Sequence, residues 1–154
     1  MTIANMEAPA DIPEGFRVFD LPFEDGFIGQ NGPLYIRRDE AGALVFGSRI
    51  RARHCNPMRI CHGGWMATLM DMVLPLNARM SVGLEENYLL TVAMTLDYLG
   101  GAQLGAWIEG RGRVLRKTKR LVFSEAMLTV EGEPILRGSG VYRIGPESPR
   151  LTVD

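Results

Sequence analysis

The chain has 154 residues, a length that suits one domain with a full hydrophobic core. Its formal net charge of −1 excludes a global pull toward nucleic acid or an anionic membrane, so any anion site must be a local patch. The two cysteines, Cys55 and Cys61, are too few for a disulfide framework, and their spacing is not CxxC.

Residues 1–15 mix Pro, Ala, Asp and Glu without periodicity and read as a flexible N-terminal arm. They lack the basic start and apolar stretch of a signal peptide. With so few cysteines, this points to a reducing, cytoplasmic compartment. Phe16 to Asn31 fits either a short strand or one helical turn. From there one domain is expected over residues 16–146, with residues 147–154 as a C-terminal tail.

Leu34 to Arg38 reads as a strand, Asp39 to Gly42 as a hairpin turn, and Leu44 to His54 as a second strand with alternating character. Asn56-Pro57 marks a loop from Cys55 to Cys61. Gly63 to about Met80 reads as one long helix, because Trp65, Leu69, Met72 and Leu76 recur at helical spacing, as do Met66, Met70 and Val73. A helix apolar nearly all round is a buried one. Asp71 and Pro75 interrupt its apolar run, which is too short to span a bilayer. Four strands follow: Tyr88 to Leu99, Ala106 to Leu115, Leu121 to Val130 and Pro134 to Tyr142. The result is an α+β layout, one central helix wrapped by an antiparallel β-sheet.

The chemistry concentrates between His54 and Asp71. His62-Gly63-Gly64 stands where the loop becomes the helix. The first helical N–H groups have no internal partner and sit at the positive end of the helix dipole. Glycine lets a ligand approach that backbone, and an oxyanion placed there would be stabilised. A tight turn accounts for the two glycines equally well. Asp71 lies mid-helix among Leu69, Met70, Met72 and Val73, where a charge is costly to bury without partners. A cap for a neighbouring loop would explain it, and so would catalysis, since perturbed carboxylates gather at active sites. Pro75 removes the N–H that would bond the Asp71 carbonyl, which predicts a bend there.

Spacing then constrains assembly. Residues 62 and 71 are separated by about 13 Å at ~1.5 Å per helical residue. A general base must reach its water by hydrogen bond. If the helix start and Asp71 serve one reaction, Asp71 must come from a second subunit, and a two-fold dimer makes two such sites.

The stretch His54-Cys55-Asn56-Pro57-Met58-Arg59-Ile60-Cys61-His62-Gly63-Gly64, with Asp71 nine positions after His62, resembles the PaaI-type branch of the hot-dog thioesterase superfamily. The looser run Thr91-Val92-Ala93-Met94-Thr95-Leu96-Asp97-Tyr98, followed by Gly100-Gly101, is similar to that family's strand after the helix. The resemblance extends from about Gly32 to Gly145. It implies a hot-dog fold and hydrolysis of an acyl-CoA to free acid and CoA. It also implies a homo-oligomer, a dimer or a dimer of dimers. The Gly63 N–H would hold the thioester carbonyl, with Gly64 beside it at the substrate. Asn56 and His62 would order substrate or water. The partner's Asp71 would activate water or attack directly, and Thr91 of the same chain as that Asp71 would orient the water. One departure stands out: Arg59 occupies a position where the family usually has glycine, which leaves two readings open, a loop of different shape or a side chain that reaches a phosphate or a substrate carboxylate.

Arg111, Arg113, Arg116, Lys117, Lys119 and Arg120 form the main basic cluster. A solvated hairpin explains it. The resemblance instead implies that Arg113, Arg116, Lys117 and Lys119 dock the phosphates of CoA. The cluster lacks the interleaved aromatics of a nucleic-acid site. His54, Cys55, Cys61 and His62 match no common zinc spacing. The expectation is therefore an enzyme without metal or cofactor, in which CoA enters only as part of the substrate. Two alternatives remain open: a hot-dog dehydratase or hydratase of acyl thioesters, and a non-catalytic acyl-CoA-binding module.

Overall fold

The computed structural model describes residues 12–20 and 26–153. Most of the expected N-terminal arm, residues 1–11, lies outside the described residues. Both readings of Phe16 to Asn31 hold in part: a two-residue strand β1 (Arg17–Val18) precedes a short helix α1 (Phe27–Asn31). Then come β2 (Tyr35–Arg38), β3 (Leu44–Arg49), the long helix α2 (Gly63–Ser81), β4 (Asn87–Tyr98), β5 (Trp107–Lys117), β6 (Leu121–Val130) and β7 (Glu133–Glu147).

The strands form one antiparallel sheet in the order β1-β2-β3-β5-β6-β7-β4. Local chemistry fixes its turns. The Asp39 carboxylate accepts from the N–H groups of Ala41 and Ala43, closing the β2–β3 hairpin. Glu131 and Gly132 both take positive φ, as a two-residue type I′ hairpin between β6 and β7 requires.

Helix α2 lies against β4, β5, β6 and β7. Met66, Leu69, Met70, Val73 and Leu74 are buried there with Ile108, Val122, Leu128 and Leu136. Two glycines make room for the close approach. A Cβ at Gly110 would stand 2.8 Å from Val73 Cγ2, and one at Gly138 would stand 2.7 Å from Met70 Cγ. This is the hot-dog arrangement, with the helix wrapped by the sheet. The helix continues without interruption through Pro75. No helix among the described residues is long and apolar enough to cross a membrane.

Three boundaries differ from expectation by more than two residues. The second strand ends at Arg49 rather than His54, because Ala52–His54 form a 3₁₀ turn. His54 is buried there: its Nδ1 accepts from the Arg51 N–H, its Nε2 donates to the Asn31 carbonyl at 2.7 Å, and its ring stacks on Trp65. A side chain bonding its own local backbone competes with the ladder. The last strand runs past Tyr142 to Glu147, so the expected boundary at 146 falls inside it. Beyond it, Leu151 and Val153 are buried, and the N–H groups of Ser148 and Leu151 donate to the carbonyls of Glu86 and Glu85. The final residues thus pack as part of the domain.

Candidate active site

The helix start is built by the loop before it. Asn56 Oδ1 accepts from the N–H groups of Met58 and Ile60, folding residues 56–60 into a tight turn. Its side-chain amide donates to no other described residue. Arg59 sits in that turn at φ +62, the left-handed conformation that favours glycine. The backbone shape suggested by the family's glycine is therefore kept, with an arginine holding it.

His62 caps α2. Its Nδ1 accepts from the Gly64 N–H at 2.8 Å, so in the neutral ring the proton sits on Nε2. The next donor, the Gly63 N–H, has no partner among the described residues. The Tyr98 hydroxyl donates to the Gly63 carbonyl at 2.7 Å, and its ring lies 3.2 Å from where a Gly63 Cβ would stand. A cleft of about 240 Å³ opens beside this point, lined in part by Phe27, Arg53, His62, Gly64 and Thr68.

Asp71 lies two turns further along α2, about 12 Å from Gly63 by helical rise. Its Oδ1 accepts two hydrogen bonds, from the Thr91 hydroxyl at 3.0 Å and the Tyr142 hydroxyl at 3.2 Å. No described residue donates to Oδ2. Burial first, and then the adjacent Asp71 carboxylate, push the Tyr142 phenol well above the usual tyrosine range, so it stays a donor. Thr91 and Tyr142 face each other across the β4–β7 ladder. The arrangement pins one oxygen of a half-buried carboxylate and leaves the other uncommitted.

A bulge in β4 makes this geometry possible. Side chains alternate faces along a strand, so residues 91 and 98, an odd number apart, would point to opposite sides. The register shifts between Thr91 and Ala93, leaving Val92 as an extra residue. Thr91 and Tyr98 therefore both face α2, one at Asp71 and the other at Gly63.

The structure thus separates the expected site residues into three places. Gly63, Gly64, His62, Asn56 and Arg59 gather at the helix start. Asp71 and Thr91 meet at mid-helix. Arg113, Arg116, Lys117 and Lys119 are exposed at or near the β5–β6 hairpin, with Arg113 paired to Glu125 at 2.6 Å. Sequence reasoning missed Tyr142 as a partner of Asp71, and Tyr98 as a partner of Gly63. Cys61 is buried, and burial pushes its thiol up to about 12. No three His, Cys, Asp or Glu side chains among the described residues gather as a metal site.

The family model described as the thioesterase superfamily matches residues 58–135, which span the helix start, Asp71, Thr91 and Tyr98. The chain belongs to the thioesterase superfamily. A curated protein of Pseudomonas aeruginosa, named "Putative esterase PA0474", is 32% identical over 135 residues, covering 87% of this chain and 98% of that one. Among solved structures, zebrafish thioesterase superfamily member 2 matches with a TM-score of 0.70 and 26% identity, over 82% of this chain and 89% of that one. A hypothetical thioesterase from Streptococcus pneumoniae, solved with coenzyme A, shares the fold. It matches with a TM-score of 0.62 and 18% identity, over 74% of this chain and 90% of that one. The residues matched to this family include His62-Gly63-Gly64 and Asp71.

Proposed function

We propose that the protein hydrolyses an acyl-CoA to free acid and CoA, at a site shared between two subunits. One observation carries the reading. Asp71 has both of its protein donors on Oδ1, and the same helix begins with an uncommitted amide too far away to serve it. One chain therefore holds both halves of the chemistry, in places that cannot meet within it.

Strand β4 supports a second copy as the missing neighbour. It is a sheet edge of twelve residues, with Tyr88, Leu90, Val92 and Tyr98 exposed. A long, apolar, unpaired edge is a template for pairing with another chain. Directly opposed residues of an antiparallel pair point to the same face. A two-fold axis through Thr95 sets Met94 against the partner's Leu96. Past the bulged Val92, it sets Thr91 against the partner's Tyr98. Thr91 stands at Asp71 and Tyr98 at Gly63, so each Asp71 reaches the other chain's helix start.

In this pocket the Gly63 N–H polarises the thioester carbonyl and holds the oxyanion. The partner's Asp71 takes a proton from water through Oδ2, while the Thr91 hydroxyl positions that water. Water adds to the carbonyl, the C–S bond breaks, and the CoA sulfur leaves with a proton. Lys117, Val122, Tyr142 and Thr91 follow one another across neighbouring strands in register. The basic hairpin thus lies toward the Asp71 end of the sheet. With Arg113 already paired to Glu125, the phosphates of CoA fall to Arg116, Lys117 and Lys119. The S. pneumoniae protein of the same fold, solved with CoA, supports that ligand class.

The test uses two inactive variants. Asp71→Asn is expected to lose about 10²–10⁴-fold in turnover on acyl-CoA esters. Gly63→Pro lacks the carbonyl donor. Mixed and reassembled, the two form a heterodimer with one intact site, so activity returns to about a quarter of wild type. A mixture as dead as its components sinks the shared pocket. An Asp71→Asn variant with wild-type turnover sinks the mechanism. Loss of acyl-CoA without free CoA would favour a dehydratase or hydratase.

A further inference from the structure

Cys55 and Cys61 oppose one another across an isolated antiparallel bridge at the base of the loop that carries Asn56 and Arg59. The Asn56 N–H donates to the Ile60 carbonyl at 2.9 Å, and the His62 N–H donates to the His54 carbonyl at 2.8 Å. These bonds flank the two cysteines and do not join them. Cys55 and Cys61 are therefore a non-hydrogen-bonded pair, with side chains on one face and Cα atoms about 4.5 Å apart. That separation lies at the short end of the range a disulfide accepts. Both are free thiols packed against the same core, Cys55 partly exposed and Cys61 buried. At present each donates weakly to a carbonyl, Cys55 Sγ to Arg51 at 3.4 Å and Cys61 Sγ to His62 at 3.8 Å.

We propose that Cys55 and Cys61 form a thiol–disulfide exchange site that takes a low-molecular-weight disulfide and closes to an intrachain bond, slowing the hydrolysis beside it. The slowing rests on the thioesterase reading; the exchange does not. In the first step the Cys55 thiolate attacks one sulfur of the external disulfide. The external S–S bond breaks, one half leaves as a thiolate, and the other half stays on Cys55 as a mixed disulfide. In the second step Cys61 gives its proton to the expelled thiolate and attacks the Cys55 sulfur. The second half leaves and takes up a proton. One intrachain disulfide has formed, and the external disulfide has been reduced to two thiols.

The geometry explains both the direction and the reversibility. Cys55 is the more accessible sulfur and reacts first. Cys61 is buried, with its thiol pushed up, which makes closure the slower step. The exchange runs backward by the same route, an external thiol in excess entering at the accessible Cys55 sulfur. Joining the two sulfurs draws them off the Arg51 and His62 carbonyls they now bond, next to the His62–His54 backbone bond. His62 is the cap that orients the Gly63 amide.

The experiment treats reduced protein with oxidised glutathione and follows intact mass. Hydrolysis is read by chromatography of the acid product, because dyes that report freed thiol are themselves disulfides. Wild type is expected to lose two hydrogen masses and to slow several-fold, with full recovery in dithiothreitol. Cys61→Ala is expected to trap one glutathionyl group on Cys55. Cys55→Ser is expected to keep its mass and its turnover. Wild type that stays reduced, or that stops at the glutathionyl adduct, overturns the exchange site. Loss of two hydrogens with unchanged turnover overturns the coupling to the helix start. The mass change needs no activity, so a failed thioesterase reading would show separately.

Discussion

The two ends of α2 treat the same backbone problem in opposite ways. Every helix leaves N–H groups at its start and C=O groups at its end without internal partners. At the C-terminal end two of these are closed off, the Ala78 and Arg79 carbonyls accepting from the Val82 and Leu84 N–H groups, while Ser81 Oγ donates to the Asn77 carbonyl. Arg79, only 7% exposed, donates to the Leu84 and Glu85 carbonyls and to Ser148 Oγ, tying the last residues of the chain to the helix. At the N-terminal end only Gly64 has a side-chain acceptor, and the Gly63 amide has none. The closed end holds the fold together. The open end is available to a ligand.

The largest test of that division is Gly63→Pro. Proline is tolerated at the first helical position. His62, at φ −64 and ψ 135, already has the extended backbone that a residue before proline requires. The change deletes one N–H, so turnover is expected to fall about 10²–10³-fold. The ring must settle against Tyr98, at a stability cost of about 1 kcal/mol. Steady-state kinetics with wild-type kcat would show that the open end is not used. The converse is Arg79→Met, expected to cost about 2–3 kcal/mol in urea unfolding with kcat unchanged. A parallel loss of kcat would break the division.

A finer test lies under the open end, where burial lowers the pKa of His54 below its ordinary value of 6.5. The folded state then binds fewer protons than the unfolded chain. The neutral ring's contribution is complete above about pH 6.5 and is lost as pH falls from there through the folded-state pKa. Urea midpoints measured from pH 8 to pH 5 should show this slope in wild type and lose it in His54→Gln. The smallest effect belongs to Arg59→Gly. Relief of the left-handed arginine offsets the greater freedom of glycine in the unfolded chain, so stability rises by no more than about 1 kcal/mol. KM for acyl-CoA should rise, since the side chain is lost while the turn is kept. An unchanged KM would remove Arg59 from the substrate.

Much of this architecture was legible because its signals are periodic or local. The apolar recurrence from Trp65 to Leu76 marked α2, and β6 begins and ends where its alternation does. His62-Gly63-Gly64 at the helix start and Asp71 in its middle pointed to both halves of the proposed site, and Asn56 entered with the family resemblance. Thr91 was legible only through the family resemblance. Tyr142 was not legible, because its role depends on a cross-strand register that no short stretch encodes. The bulge at Val92 was invisible for a related reason: it carries no glycine and looks like one more β-branched residue in an alternating run. The packing of Leu151 and Val153 was hidden because two apolar residues in a terminal segment form no period.

Val92 stands apart from the ladder, and the reach of Thr91 depends on its staying so. Draw it into the pairing as an ordinary strand residue, and every side chain upstream of it rotates to the opposite face of the sheet. Thr91 would turn to solvent and the carboxylate would lose a donor, although no acid, amide or hydroxyl had been altered. The edge strand carries one residue more than its pairing counts, and a relative with the same residues but no bulge can keep the whole motif and still present Thr91 to the wrong side.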